Sequence, residues 1–497
     1  METIQLLLSG FSNAMTPINL IWLVAGSALG TVLGMLPGLG PTTGIALLMP
    51  LTFTMAPDTA LVTMCAIYYG AMFGGSRSSI LLNVPGDGAA VASCFDGYPM
   101  STSGQAAISA IASFIGGFIA TIAFVAVAVP VARFALKFGP PEYFMLMCFA
   151  LAATAAISKE AMLKGLLSMC LGLMIATVGI DPQSGAIRFT FGVTALQTGI
   201  DFVVVIIGVY GLGEVFHNMD HIRSDVAVKV QSKFGRIWVT MAQFKRCWWP
   251  MIRQTPVGFF VGVLPGAGAT IAALMAYNNE KQLSKNPENF GKGEIVGLAA
   301  PEAANNACSV GALIPMMTLG VPGSGTTAVM LGALMILGLQ PGPLLFQQHA
   351  DIAWTVIASM FLGNVACAFI NIPLASLLVR VLAVPTKILY PLIVAMALIG
   401  VYTINFSVVD FVLLVIFGLV GYFMKKYKVP TSPLILAVVV GVSMEQSYRQ
   451  SMMLSDGNFA ILFRSPICWV LFFLTIFSIV WPFFSDWKKK RKSAAQA

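Results

Sequence analysis

Apolar runs long enough to span a bilayer recur from Ile18 almost to the carboxyl terminus, ending near Phe484, with few charges inside them. At ~20 residues per spanning helix they predict roughly ten to twelve crossings. The 497 residues are 58% hydrophobic and 10% charged, with a mean hydropathy of +0.86, too apolar for a soluble domain. The runs show no period-two alternation, which excludes a β-barrel, so the expected fold is an all-α polytopic membrane bundle.

The opening segment METIQLLLSGFSNAMTP carries Glu2 and no basic residue, so it lacks the n-region of a secretory signal and is expected to be retained. The formal charge of +8 does not read as nucleic-acid binding. Its sources are Arg223, Lys229, Lys233, Arg236, Lys245 and Arg246 between apolar runs and Lys488–Lys492 at the tail, the pattern of cytoplasmic anchoring beside anionic lipid. Eight cysteines lie scattered without a C-x-x-C pair and read as small buried hydrophobes, not metal ligands. His217 and His221 fall in a charged segment, where a solvated pair is the expectation. No phosphate loop, H-E-x-x-H or G-x-S-x-G occurs, so neither ATP hydrolysis nor hydrolase chemistry is expected, and no cofactor is implied.

The chain repeats itself. GMLPGLGPTTGIALLM at 34–49 returns as GVLPGAGATIAALMAY at 262–277, and VPGDG at 84–88 returns as VPGSG at 321–325. Gly74 and Gly311 precede the second mark by the same distance, and the slightly wider spacing of the second half falls in the polar segment 278–294. GIDFVVVIIGV at 199–209 resembles VVDFVLLVIFG at 408–418. The chain therefore divides into repeats at 1–215 and 256–497 joined by a basic cytoplasmic connector at 216–255. Lys425, Lys426 and Lys428 should face the connector's side, with an outside loop around Gln446–Ser465. The first half then starts outside and the second inside, an inverted repeat, which requires Arg133 and Lys137 to lie outside and one extra helix within 162–198.

A Pro-Gly pair within the bilayer removes a backbone donor and stops the helix, and the freed backbone groups are tolerated only against protein or a water-filled cavity. Four half-helix amino ends are expected, each presenting unpaired N–H groups suited to an anion. The substrate-binding candidates are Pro37, Gly38, Gly40, Thr42 and Thr43; Gly86 and Asp87; Pro265, Gly266, Gly268 and Thr270; and Pro322, Gly323, Ser324, Gly325 and Thr326. One such break alone would read as a packing kink, but four in paired positions point to a ligand site. Between the breaks, Arg77 is a candidate carboxylate clamp or a partner of Asp87 or Asp96, with Ser79 and Asn83 as nearby donors. Glu302, Asn305 and Asn306 share one helix face. They are ion-coupling candidates, although Glu302 also fits an interhelical hydrogen-bond clasp or a first-turn acid after Pro301.

These segments, together with YYGAMFGGSRSSILLNVPGDGAAVASCFDGYPM, APEAANNACSVGALIPMMTLGVPGSGTTAVMLGALMILGLQPGPLLF and PTKILYPLIVAMALIGVYTI, resemble the TctA-type large permease subunit of the tripartite tricarboxylate transporters over nearly the whole chain. The resemblance implies a bacterial inner-membrane secondary transporter of elevator-like design that imports a carboxylate on a Na⁺ or H⁺ gradient. It also implies two partners, a periplasmic TctC-type solute-binding protein and a small TctB-type membrane subunit. The alternative from another class is a scaffold that docks a binding protein and transports nothing.

Overall fold

The computed structural model describes residues 2–36, 39–100, 105–156, 162–181, 183–220, 239–372 and 386–494. Residues 221–238 of the connector lie outside them, as do Pro37 and Gly38. The described chain is helical almost throughout, and its strand pairing is confined to the antiparallel pair Gly179–Ile180 with Ile187–Arg188. Five described helices are long and apolar enough to cross a membrane, and four more apolar helices are shorter. Large apolar side chains face outward in stripes such as Val408, Val412, Val415, Leu419 and Phe423, the pattern of a lipid-facing surface.

Each half begins with a helical hairpin. Helix α1 (Glu2–Ala14) leads into α2 (Pro17–Met35), α3 (Pro41–Thr52) and α4 (Pro57–Leu82). Asn19 near the start of α2 accepts from Thr59 near the start of α4 (2.6 Å), and Gly34 at the end of α2 touches Ala71, so the two helices run parallel. α3 turns back alongside α2, with Gly44 against Leu33, and returns to the end from which α2 entered. The cause is Leu36, which leaves the helix at φ −76°, ψ 119° ahead of the Pro-Gly pair.

The second half repeats the device. After the 310 turn and short helix α5 (Val91–Gly97), α6 (Gln105–Ala135), α7 (Pro140–Ala156), α8 (Met162–Ala176), α9 (Phe202–Ile206) and α10 (Gly213–Asp220), the hairpin forms from α11 (Met241–Val263) and α12 (Gly268–Leu283), with α13 (Ile295–Leu319), α14 (Gly325–Ile336) and α15 (Pro343–Gln348) next in the chain. α11 ends at Leu264 with φ −79°, ψ 121°, matching Leu36. Arg253 on α11 grips Glu280 on α12 through both oxygens, its Nε donating at 2.6 Å, which closes the hairpin below its tip. Each long helix ends left-handed, α4 at Asn83 (φ 56°) and α13 at Gly320 (φ 69°). The VPG turn comes directly after in both.

The hairpins enter from opposite ends. Ser76, late in α4, donates to Glu302, early in α13, and Asp96 beyond α4 accepts from the N–H groups of Gly291, Gly293 and Glu294 at the start of α13 (2.7–2.9 Å). The end of one long helix thus meets the beginning of the other. The remaining packing is swapped between halves: α6 lies on α11 and α13, while its counterpart α16 (Ala350–Asn371) lies on α2 and α4. These elements form an interlocked core. Around it stand α7, α8, the α9–α10 segment and the helices Thr386–Asn405, Val408–Lys426, Ser432–Met453 and Pro466–Ala494, packed chiefly on one another.

Within the basic connector 216–255, a capping box between Thr240 and Gln243 starts α11 at Met241. The loop expected from Gln446 is helical to Met453. The extra helix within 162–198 is α8, and it leads into the small β-hairpin. The hairpin is pinned by Arg449, which donates to Asp181 (2.8 Å) and Glu445 (2.6 Å), and by Arg188, which donates to Glu445 (2.8 Å). The N–H of Gln183, with Ser184 and Arg449, holds the Asp181 carboxyl below the usual range. A depressed acid stabilises above its unfolded value, so this anchorage should persist through mildly acid pH and fail only as pH falls below the ordinary aspartate range. Proteolysis of the hairpin against pH checks this, and a susceptibility rising already at neutral pH would contradict it.

Candidate substrate site between the interrupted helices

The four interruptions meet. Thr42 in the first turn of α3 lies 2.8 Å from Thr326 in the first turn of α14 (Gly325–Ile336), hydroxyl to hydroxyl. Thr270 in the first turn of α12 abuts Gly88, where an added Cβ would stand 2.6 Å from the threonine oxygen. Each hairpin tip of one half is therefore seated on the VPG turn of the other. Within a half the same pairs also touch: Gly40 faces Asp87, and the N–H of Gly266 donates to Gly323 O (2.9 Å).

The local chemistry is that of helix amino ends. Asp87 caps the 310 turn by accepting from Ala90 N (3.1 Å), and Ser324 and Thr327 form a capping box on α14. Gly266 and Gly268 take φ of 80° and 68°, which glycine alone adopts without strain, and these turn the second tip. Gly86 and Gly323 are pressed on backbone, against Gly34 O and Ala312 Cα, so the VPG turns can enter the core only as glycine.

A cavity of about 320 Å³ opens beside these turns, lined by Gly266, Gly268, Thr270, Pro322, Ser324 and Gly325 from the core and by Thr154, Ser432 and Leu436 from the outer helices. Among the described residues its lining carries hydroxyls and backbone but no lysine or arginine. Tyr210 adds a further hydroxyl: a Cβ on Gly325 would lie 3.2 Å from Tyr210 Oη and 3.4 Å from Ser432 Oγ. Tyr210 sits in the π-helical segment Ile207–Leu212, a distortion that re-aims a side chain. Thr154, Tyr210 and Ser432 all lie outside the repeated motifs, so no sequence signal marked them as site residues.

The other candidates lie elsewhere. Thr43 is buried in the α3 first turn. Asn83 ends α4 in the left-handed conformation. Ser79 is buried and donates to Gly75 O and Ala90 O, fastening the VPG turn to α4. Arg77 is buried and donates from Nε to Asn371 (3.3 Å), with neither Asp87 nor Asp96 as the partner found for that atom. Glu302 is a clasp between elements: Ser76 (2.5 Å), Ser113 (3.0 Å) and Ser93 all donate to it. It is not in a first turn, because α13 starts at Ile295 under the Glu294 cap. Asn305 and Asn306 are buried next to it in sequence.

Paired hairpins that enter a helical bundle from opposite ends, each tip seated on the other half's turn, define a multi-pass membrane protein with an internal two-fold plan. The chain belongs to the tripartite tricarboxylate transporter TctA family, whose model matches residues 20–436. It is 40% identical over 472 residues to an uncharacterized 52.8 kDa protein of the TAR-I ttuC′ 3′ region of Agrobacterium vitis, covering 94% of this chain and 93% of that one. It is 36% identical over 234 residues to an uncharacterized protein of the TAR-II ttuC′ 3′ region of the same organism, covering 47% of this chain and 97% of the relative. No solved structure matches the chain. Membership makes it a component of a tricarboxylate transporter with further subunits.

Proposed function

We propose that the chain is the permease that carries a di- or tricarboxylate inward across the bacterial inner membrane, driven by a Na⁺ or H⁺ gradient. It takes the solute from a periplasmic TctC-type binding protein and works beside a small TctB-type membrane subunit. The observation that supports this reading is the meeting of helix amino ends from both halves, Thr42 on Thr326 and Thr270 on Gly88, beside a cavity that the second-half turns line with hydroxyls and backbone. Each amino end presents N–H groups and roughly half a positive charge, so a carboxylate can be held without a basic side chain that would grip it too long. The cavity lies between the interlocked core and the outer helices, where a shift of the core past Thr154, Ser432 and Leu436 exposes it to alternate sides.

The test is uptake into proteoliposomes holding the permease and small subunit, with loaded binding protein outside and an imposed ion gradient. The double variant Thr42→Val and Thr326→Val should lower initial uptake roughly tenfold or more while costing about 1 kcal/mol of stability. Pro322→Ala, which lets α13 and α14 approach continuity, should cut uptake while leaving insertion intact. Wild-type rates in both variants would remove the cavity from the transport path, and absence of any gradient-dependent accumulation by the native protein would leave a docking scaffold.

A further inference from the structure

We propose that a slot between α1, α6 and α16 holds an anionic phospholipid, with the headgroup on Arg133 and Lys137 and an acyl chain along the apolar walls. Helix α6 is apolar over the 29 residues Ala107–Ala135. At 1.5 Å per residue such a run outlasts a hydrocarbon core of about 30 Å, so its end reaches headgroup depth. Arg133 stands in the last turn of α6 and Lys137 in the turn that follows.

These charges occupy the end of the bundle that positive charge ordinarily avoids. Ile108 and Ala112 at the start of α6 share a buried cluster with Cys247 and Met251 at the start of α11, the helix that leaves the basic connector. Arg133 and Lys137 therefore lie at the opposite end, where spanning proteins carry few lysines and arginines. A helix carboxyl end favours a cation by only about 0.3–1 kcal/mol, which does not require two of them. Nor does an ion pair account for them. Among the described residues neither side chain has a hydrogen-bond or ion-pair partner, and the closest acid along the chain, Glu142, accepts instead from Gly139 N (2.9 Å).

Beside Arg133 the packing leaves room. α1 and α6 both lie on α16 but do not pack closely on each other. Gly10 draws α1 onto α16, since an added Cβ there would stand 2.3 Å from Trp354 O. A cavity of about 240 Å³ remains between them, lined by Leu6, Val129, Leu136, Phe346 and Trp354 together with Arg133. Thr3 and Gln347 add polar atoms to the lining. Ile4 and Leu8 on α1, and Phe134 and Leu136 at the end of α6, are exposed, so the slot continues into the apolar surface that faces acyl chains.

An apolar slot with an unpaired cation selects its occupant. A water-soluble acid gains nothing from Leu6 or Phe346, and a plain acyl chain leaves the guanidinium without a partner. A phosphodiester carried on acyl chains satisfies both: the Arg133 fork takes two phosphate oxygens, and Thr3 and Gln347 supply donors to the remaining phosphate or glycerol oxygens. A zwitterionic lipid brings an ammonium group that competes with Arg133 and Lys137, so the headgroup that fits is anionic. Such a lipid would join α1 to α6, and its binding should therefore stabilise the fold.

The experiment uses the purified full chain, delipidated in a mild detergent. Its thermal midpoint is followed, and retained lipid is counted by native mass spectrometry, as dioleoylphosphatidylglycerol or dioleoylphosphatidylcholine is added. Phosphatidylglycerol should raise the midpoint saturably and remain as a bound adduct, and phosphatidylcholine should do neither. The double variant Arg133→Gln and Lys137→Gln should weaken the apparent phosphatidylglycerol affinity roughly tenfold or more. Val129→Trp, which fills the slot and keeps both charges, should weaken it as much. Lys285→Gln is the control: it removes an exposed charge from the segment between α12 and α13 and should leave the response unchanged. Equal responses to the two lipids, or a phosphatidylglycerol response that persists in either the charge or the Val129→Trp variant, would overturn the site. A persistent lipid response combined with lost capture of the loaded solute-binding protein in the charge variant would overturn it as well, and would assign these charges to protein docking.

Discussion

Gly34→Ala is expected to unfold or severely loosen the first half, although alanine is the better helix former by about 1 kcal/mol. The added Cβ would lie 2.2 Å from the carbonyl oxygen of Ala71 and 2.6 Å from its Cα, backbone that cannot rotate away. Gly30 meets Ile67 O in the same way at 2.2 Å, and Gly74 on the facing helix meets Thr31 O at 2.1 Å, so α2 and α4 approach along a whole line of contacts. Separating them by one methyl would break that line and lift Gly86 off Gly34, displacing the first VPG turn from the site. Overpacking of this kind costs about 1–3 kcal/mol at a compliant site and more where backbone faces backbone. Gly262→Ala should act alike in the second half, where the Cβ would meet Cys308 O at 2.2 Å. Gly44→Ala is the control: its nearest neighbour would be Leu33 at 3.5 Å, an ordinary contact, so stability should hold or rise slightly. Thermal unfolding of the purified variants in one detergent decides it. A Gly34→Ala midpoint equal to that of Gly44→Ala would show that the helices can separate without loss.

The breaks were legible because proline and glycine act locally: a Pro-Gly pair stops a helix whatever surrounds it, and Leu36 and Leu264 leave their helices at nearly the same angles. Their pairing across halves was legible for the same reason, since Thr42 and Thr270 stand at equivalent positions and each touches the other half. The glycines of α2 at every fourth residue from Gly26 to Gly34 are a close-packing signal that the reading of the repeats passed over. Contacts that depend on how distant helices pack were not legible. Nothing near Tyr210 or Ser432 in the chain announces that both reach Gly325, and nothing near Ser93 or Ser113 announces a shared acceptor in Glu302. Arg77 stood out as a lone basic residue in an apolar run, yet its Nε partner, Asn371, is an uncharged residue nearly three hundred positions away.

Glu302→Ala should be the most destabilising single change in the centre of the core, because the acid joins four elements at once. Ser76 of α4, Ser93 of α5 and Ser113 of α6 converge on a carboxylate from α13 that is 0% exposed, and the Arg77 guanidinium is within its electrostatic reach. Removing it strands three hydroxyls and takes a counter-charge away from a buried guanidinium, a loss of about 3–5 kcal/mol. Glu302→Gln keeps the shape and one oxygen, and a serine can rotate to accept from the new amide, so its loss should be much smaller. The pair of variants separates a clasp from an ion carrier. If the carboxyl only holds the halves together, Glu302→Gln should retain gradient-driven uptake in proportion to its folded fraction. Full thermal stability in Glu302→Gln combined with abolished uptake would instead place a movable proton or ion on this side chain, and the clasp would then be its resting state. The geometry favours the first outcome. Three hydroxyl donors already occupy the carboxyl oxygens, and an ion entering there would have to displace contacts that tie the second half's longest buried helix to three segments of the first.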